Sequence, residues 1–294
     1  MCWETCYPLA VHTTRFAPSP TGLLHLGHAF AALTAAAAAA ADGGAFLLRM
    51  EDLDATRARH EFELAIEEDL AWLGLSWQCP VLRQSARLAA YKAALESLMA
   101  KDLVYPCFCT RRQVAVEAAR AAEAPNSVDG PIYPGTCRDL TSAERASRIS
   151  RGDPHVLRLA TAEASRRVGP LMFDELGSGP SGEQGRVAVN PMVLGDIVLA
   201  RRDAPAAYHL AVVIDDSYQG VSLVTRGNDL FIATHVQRLL QALLGLPAPL
   251  YAHHRLIRDA GGVKLSKRRG SKALQDLRRE GWQVVDVRRA LSLD

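Results

Sequence analysis

The chain of 294 residues, 49% hydrophobic and 22% charged, is long and apolar enough for a sizeable core and about two domains, which excludes a disordered or fibrous protein. Its 34 basic and 32 acidic residues leave a formal net charge of +2, so charge balance neither demands nor forbids a nucleic-acid partner. The first residues lack the basic start of a secretory signal, and the run Ala31 to Ala41 is too short and weakly hydrophobic to span a bilayer; a cytoplasmic protein is expected, whose six cysteines are thiols or metal ligands.

Val11 to Phe16 is an apolar, β-branched run that predicts a strand, and Pro18-Ser19-Pro20-Thr21-Gly22 turns the chain into a helix-forming stretch from Ala29 to Ala41. A strand entering a helix through such a turn builds an anion site from exposed N–H groups and the helix dipole. His25 and His28, on one side of the first helical turn, can donate to negative oxygens, and Gly27 leaves room for a flat ring such as adenine. The pattern suits a nucleotide; two histidines that merely cap the helix are the plainer alternative. Asp42-Gly43-Gly44 stops the helix, and Ala45 to Met50 reads as a buried parallel strand. At its end Glu51-Asp52-Leu53-Asp54 and Arg57 stand where ligands bind in open α/β sheets, or form a polar loop in which Asp54 caps the next helix.

Phe62, Ile66, Leu70 and Leu73 mark an amphipathic helix over 57–73 with a dense acidic face opposite. Leu88, Tyr91, Leu95 and Leu98 mark another, capped by Ser85 and running to about Lys101. Composition changes near Pro106, so an inserted domain over 104–192 is expected between two halves of a main domain, 1–103 and 193–294. The insertion holds Cys107-Phe108-Cys109 and then Tyr133-Pro134-Gly135-Thr136-Cys137. Three thiolates and a phenolate could converge on one ion if the chain folds back; three reduced thiols fit the spacing as well. His155 to Ala160 and Leu194 to Arg201 read as strands closing the insertion, with Gly177 to Gly185 a surface excursion between them. Tyr208 to Asp216 is expected to re-enter the main sheet and Val221 to Thr225 to continue it, with Asn228 capping a helix from Leu230 to Leu244. Arg226, at a strand end beside a glycine, can present a planar fork to a carboxylate or serve a structural ion pair. From Lys264 to the end nine Lys/Arg face four Asp/Glu, an excess that could track a phosphate backbone or lie on a solvated helix face.

The string Arg15-Phe16-Ala17-Pro18-Ser19-Pro20-Thr21-Gly22-Leu23-Leu24-His25-Leu26-Gly27-His28 resembles the first signature of class I aminoacyl-tRNA synthetases, in the glutamyl and glutaminyl version. Lys264-Leu265-Ser266-Lys267-Arg268, after Gly261-Gly262, resembles the lysine loop of the same class. The resemblance covers nearly the whole chain, apart from the residues before Val11 and the 177–185 loop. It implies an α/β protein with the class I Rossmann-like parallel sheet and an inserted α+β, zinc-containing domain. It also implies ATP-dependent activation of L-glutamate to glutamyl-adenylate, with Mg²⁺ assisting. His25, Gly27, His28 and Lys267 would bind ATP, with His25, His28, Lys264 and Lys267 catalytic. Arg15, Phe16, Ala17, Pro18, Ser19, Glu51, Tyr208 and Arg226 would bind glutamate. Two arginines facing one side chain favour glutamate over glutamine, because a neutral amide would leave both charges uncompensated.

Only 26 residues follow Arg268, so no anticodon-binding domain is expected. That truncation, with the Cys-x-Cys and Tyr-x-x-x-Cys pattern, is similar to a subgroup that places glutamate on the queuosine base in the anticodon of tRNA(Asp). The subgroup implies one structural zinc on Cys107, Cys109, Tyr133 and Cys137, and a monomeric enzyme without membrane attachment is expected. A short glutamyl-tRNA synthetase charging a 3′ end and a non-catalytic tRNA- or glutamate-binding paralogue remain as alternatives; intact His25, His28 and Lys267 speak against the latter.

Overall fold

The structure, a computed structural model, describes residues 11–120, 126–127, 130–201, 206–259, 262, 265 and 271–293. Strand β1 (Thr13–Phe16) lies parallel to β2 (Ala45–Met50), which lies parallel to β3 (Gln78–Arg83). Helix α1 (Leu26–Ala40) joins β1 to β2, and α2 (His60–Trp72) joins β2 to β3. The alanines of α1 have a packing purpose: Ala29, Ala32, Ala35 and Ala39 are buried with Phe16, Phe46, Leu48 and Met50. Their small side chains let the helix lie close enough for Thr14 Oγ1 to donate to the Ala35 carbonyl at 2.8 Å. Gly44 is required after α1, since a Cβ there would stand 1.9 Å from the His12 carbonyl oxygen.

Helix α3 (Leu88–Met99) leads to β4 (Val104–Cys107), α4 (Arg111–Arg120), the two-residue strands β5 (Asn126–Ser127) and β6 (Gly130–Pro131), α5 (Ser142–Ser150), β7 (Val156–Leu159) and α6 (Thr161–Val168). Then come β8 (Met172–Glu175), β9 (Gly185–Ala188), β10 (Val198–Arg201), α7 (Tyr208–Tyr218), β11 (Leu223–Gly227), α8 (Phe231–Leu244), β12 (Leu250–His254), α9 (Leu274–Arg279) and α10 (Val284–Ala290). An antiparallel sheet of order β10-β7-β4 forms the body of the insertion. A second sheet has the order β11-β12-β8-β9, parallel from β11 to β8 with β9 antiparallel at its edge. Ser222, just before β11, donates its N–H to the Thr13 carbonyl at 3.0 Å and accepts from the Thr13 N–H through Oγ at 2.9 Å, so β1 and β11 meet edge to edge. The chain leaves β1 toward β2 on one side and extends from β11 toward β12 on the other. Between them lies the topological switch point where open parallel sheets bind ligands.

Several expectations are corrected. Tyr208 to Asp216 is the helix α7, not a strand: a continuous apolar run fits a buried helix equally well, and Leu210, Ala211, Val212 and Val213 are buried against α3 and α8. β8 and β9, within the span expected as the insertion, pair instead with β12, whereas β10 pairs with β7, as the reading of 194–201 as a closing strand expects and the 192/193 boundary does not. Ser85 does not cap α3; it sits in a 3₁₀ turn over Gln84–Arg87 and bonds to the Asp52 carboxylate. Asn228 likewise opens a 3₁₀ turn ahead of α8 without a side-chain cap. No described helix is long and apolar enough to cross a membrane.

Candidate active site

The first motif lands at the carboxyl end of β1. His25 is the N-cap of α1 and accepts through Nδ1 from the Gly27 N–H at 3.1 Å, while His28 Nδ1 accepts from the His25 N–H at 3.2 Å. The two rings pack with centroids 3.8 Å apart. Both therefore cap the helix, and the capping defines their chemistry. With Nδ1 engaged as an acceptor, each neutral ring carries its proton on Nε2, the nitrogen whose chemistry suits a phosphate oxygen. Gly27 answers to this packing as well as to any adenine, because a Cβ there would stand 3.0 Å from His25 Cε1. The turn itself is stitched to β2 where Pro18 O accepts from the Glu51 N–H at 3.0 Å.

Beside this turn lies a cluster of buried charge. Asp216, from α7, accepts through Oδ1 from Arg15 Nε at 2.9 Å and from Arg49 Nη1 at 2.8 Å, and through Oδ2 from Arg15 Nη2 at 3.2 Å. Burial acts to raise the Asp216 carboxyl, but Arg15 and Arg49 outweigh it and hold it down at about 2. Arg49, fully buried, also reaches Glu51 Oε1 at 3.4 Å. Desolvation pushes the Glu51 carboxyl above its ordinary value, opposed in part by Arg49 and Arg15. Tyr208 is also pushed up by burial, with Arg226 and Arg15 acting against the shift and Glu51 with it. Asp215 braces the floor, accepting from Gln84, Arg87 and Tyr91.

Arg226, at the end of β11, is 6% exposed and held on three sides: Nε donates to His253 Nε2 at 3.1 Å, Nη1 to Gln237 Oε1 at 2.8 Å and Nη2 to Thr234 Oγ1 at 2.7 Å. Arg15 and Arg226 thus lie near the ends of strands that meet edge to edge, where Arg15 Nη1 donates to the Thr225 carbonyl at 3.4 Å, while Glu51 follows β2 and Tyr208 opens α7. One electrostatic expectation needs correcting for Arg15, whose guanidinium already faces the Asp216 carboxylate; Arg226 is bonded to three neutral acceptors, which satisfy its donors without cancelling its charge.

Sequence reasoning missed Arg49, Asp216, Thr234, Gln237 and His253. Arg49 carried a usable signal, a charged residue inside an otherwise apolar strand, which has to find a buried partner. Lys264, Ser266, Lys267 and Arg268 lie outside the described residues. The flanks of that loop are placed: Leu265 N donates to Ile257 O at 3.1 Å, Ala273 bridges to His25, and Leu274 N donates to Leu24 O at 2.8 Å. The chain therefore leaves β12 and returns onto the capped start of α1.

In the insertion, the sulfurs of Cys107, Cys109 and Cys137 lie within 4.8 Å of one another, with Cys109 and Cys137 3.5 Å apart. Tyr133 Oη is 3.9 Å from Cys109 Sγ and accepts from the Cys137 N–H at 2.7 Å. Ligands about 2.3 Å from a tetrahedral ion stand about 3.8 Å apart, so the donor set fits zinc. Burial pushes Cys109 up to about 12; Cys137 feels the same burial, but donors from the Phe108 N–H, Tyr133 and the other two cysteines outweigh it and lower it. Arg158 stacks over the Tyr133 ring at 3.9 Å, and burial with a hydrogen bond to Cys107 pushes the phenol well above its ordinary value, so an ion would have to displace its proton.

Comparison with known proteins bears on this geometry. Residues 11–293 match the model of class I tRNA synthetases (E and Q), catalytic domain. The chain is 48% identical over 282 residues to a protein of Rhodobacter capsulatus named glutamyl-Q tRNA(Asp) synthetase, covering 95% of this chain and 99% of that one. A Nocardia farcinica protein of the same name is 43% identical over 276 residues, covering 93% and 81%. Among solved structures, glutamate-tRNA synthetase from Elizabethkingia anophelis superposes with a TM-score of 0.73 at 29% identity over 92% of this chain; the chain spans 54% of that structure's length.

Proposed function

The chain belongs to the class I tRNA synthetase family of glutamate and glutamine enzymes, and from that premise we propose that it activates L-glutamate with ATP and transfers it to the queuosine base in the anticodon of tRNA(Asp). The observation that carries the activation step is the meeting, at the ends of β1 and β11, of the two-histidine turn with Arg15, Arg226, Glu51 and Tyr208. What supports the acceptor is the likeness to the Rhodobacter and Nocardia proteins of that name.

In this reading ATP, accompanied by Mg²⁺, lies over the start of α1, with the Nε2–H groups of His25 and His28 toward its phosphates and the helix dipole behind them. Arg15 and Arg226 meet the side-chain carboxylate of glutamate, Glu51 and Tyr208 its ammonium group, and the backbone of Phe16, Ala17, Pro18 and Ser19 walls the site. The glutamate α-carboxylate attacks the α-phosphorus, the bond to the β-phosphate oxygen breaks, and pyrophosphate leaves. Lys264 and Lys267 neutralise charge on the phosphates as it grows. A hydroxyl of queuosine then attacks the acyl carbon and AMP departs. Cys107, Cys109, Cys137 and Tyr133 would hold one zinc, which when bound would tie the start of the insertion to the 133–137 segment and take no part in the chemistry. We place the enzyme in the cytoplasm as a monomer.

The test supplies ATP, labelled glutamate and tRNA(Asp) with or without queuosine, followed by nuclease digestion. Label should appear on the modified anticodon nucleoside of queuosine-containing tRNA alone. Label on the terminal adenosine of either tRNA would show ordinary 3′ charging instead.

A further inference from the structure

Across the adjacent strands β8, β12 and β11, three buried polar side chains form a line: Glu175 at 1% exposed, His253 at 2% and Arg226 at 6%. Arg226 Nε donates to His253 Nε2, which requires that nitrogen to carry no proton. The imidazole proton therefore sits on Nδ1, which faces Glu175 Oε2 at 2.5 Å. The other carboxylate oxygen is committed too, for Oε1 accepts from the backbone N–H groups of His253 and Gly177, both at 2.8 Å. Gly177 is what lets the chain come this near; a Cβ there would stand 2.2 Å from the His253 carbonyl oxygen. Two backbone donors pin the carboxylate, the carboxylate pins the imidazole, and the imidazole pins the guanidinium.

The groups acting on His253 keep it neutral: burial lowers its affinity for a proton and Arg226 lowers it further, Glu175 acts the other way, and neighbouring His254 adds a small lowering. With Gln237 and Thr234 each taking one more donor, three of the five Arg226 donors are held and one remains on each terminal nitrogen, enough for one carboxylate.

We propose that Glu175 and His253 are positioning residues for substrate recognition: a carboxylate–imidazole relay fixes the tautomer that holds Arg226, and so aims its two remaining donors at the side-chain carboxylate of glutamate. The relay rests on the reading of Arg226 given above. It also gives a purpose to the start of the 177–185 loop, which carried none in the sequence.

Glu175→Gln tests this with almost no change of shape. Its carbonyl oxygen must face the two backbone donors, so its amide –NH₂ faces Nδ1, drives the imidazole proton to Nε2, and sets donor against donor at Arg226 Nε. In glutamate-dependent pyrophosphate exchange, run well below the variant's unfolding midpoint, the KM for glutamate should rise roughly 10- to 100-fold while the KM for ATP stays near wild type. The ¹⁵N resonances of the His253 ring should change from the Nδ1-protonated to the Nε2-protonated pattern. His253→Gln, which keeps an acceptor for Arg226, should bind glutamate better than His253→Leu. A raised KM in Arg226→Ala with an unchanged KM in Glu175→Gln would overturn the relay alone. An unchanged KM in Arg226→Ala would overturn the reading of Arg226 and the relay with it, and equal losses for both substrates in Glu175→Gln would reduce the relay to a structural brace.

Discussion

Asp216→Asn is the sharpest perturbation of the buried charge cluster. In the native protein one carboxylate satisfies the Arg15 fork on two nitrogens and Arg49 on a third. Asparagine keeps the Oδ1 acceptor but turns an –NH₂ toward Arg15 Nη2, and it removes the charge opposite two guanidinium groups that are 6% and 0% exposed. Breaking a buried pair from one side costs about 3–5 kcal/mol, a large share of the roughly 5–15 kcal/mol that holds a domain together. A second, independent figure comes from linkage. Arg15 and Arg49 hold the native carboxyl at about 2 against an ordinary 3.8, so its ionisation contributes on the order of 2 kcal/mol. Because the folded-state value is the lower one, that stability is fully present above about pH 4 and is lost as pH falls toward about 2. Urea unfolding of wild type and Asp216→Asn at steps from pH 7 to pH 3 should show a gap of about 3 kcal/mol or more at neutrality that narrows on the acid side. Glutamate KM should rise in the variant, since Arg15 loses its anchor. Parallel stability curves separated by less than about 0.5 kcal/mol would refute the assignment of Asp216 as the counter-charge of both arginines.

Cys107→Ala or chelation should release about one zinc per chain and expose the insertion to limited proteolysis first, leaving glutamate-dependent exchange measurable; absence of zinc with freely alkylated Cys107 and Cys109 would refute the site. Lys267→Ala should lower the exchange rate about 10²-fold or more, the usual loss for one donor to a transition-state oxyanion, and an undiminished rate would remove Lys267 from the chemistry. Glu51→Gln should abolish glutamate-dependent exchange without weakening the fold at pH 7. Burial raises the native carboxyl, so its ionised form is a cost to stability above the unfolded-state value that vanishes as pH falls below it. A thermal scan showing the variant clearly less stable than wild type at neutral pH would contradict that sign.

What could be read from the sequence was what the chain writes locally. The strand–turn–helix unit around His25 is contiguous, its turn residues are specific, and β1, α1 and β2 formed where expected. The Cys-x-Cys and Tyr-x-x-x-Cys spacing brought the three sulfurs together as expected. Strand order is a non-local property, so nothing between 170 and 190 announced that β8 pairs with β12. α7 was misread because apolar continuity does not encode period, and that error hid Asp216. The counter-charge of Arg15 lies 201 positions away, on an element whose type had to be known before its facing residues could be. Arg15 and Arg226 could be singled out as candidates from their place at strand ends; the groups that hold them in place could not.

That difference changes the argument for choosing glutamate over glutamine. Two uncompensated arginines would reject a neutral amide by charge alone, but a pocket with bare buried cations would also weigh heavily on the apo protein. Here Arg15 has Asp216 and Arg226 has three protein acceptors before any substrate arrives. Charge still counts at Arg226, whose acceptors are neutral, and hydrogen-bond polarity adds to it: guanidinium groups donate only, and with some donors fixed by the protein, those remaining need an acceptor. Both oxygens of the glutamate side chain accept, whereas one end of the glutamine side chain is an –NH₂ that would meet donors. A site whose donors are held rigid cannot rotate to avoid that clash, and leaving such groups unpaired is what lets a binding pocket discriminate strongly between near-isosteres. If the two arginines read the substrate as proposed, the supporting residues Asp216, His253, Gln237 and Thr234 are as much a part of specificity as the arginines they hold.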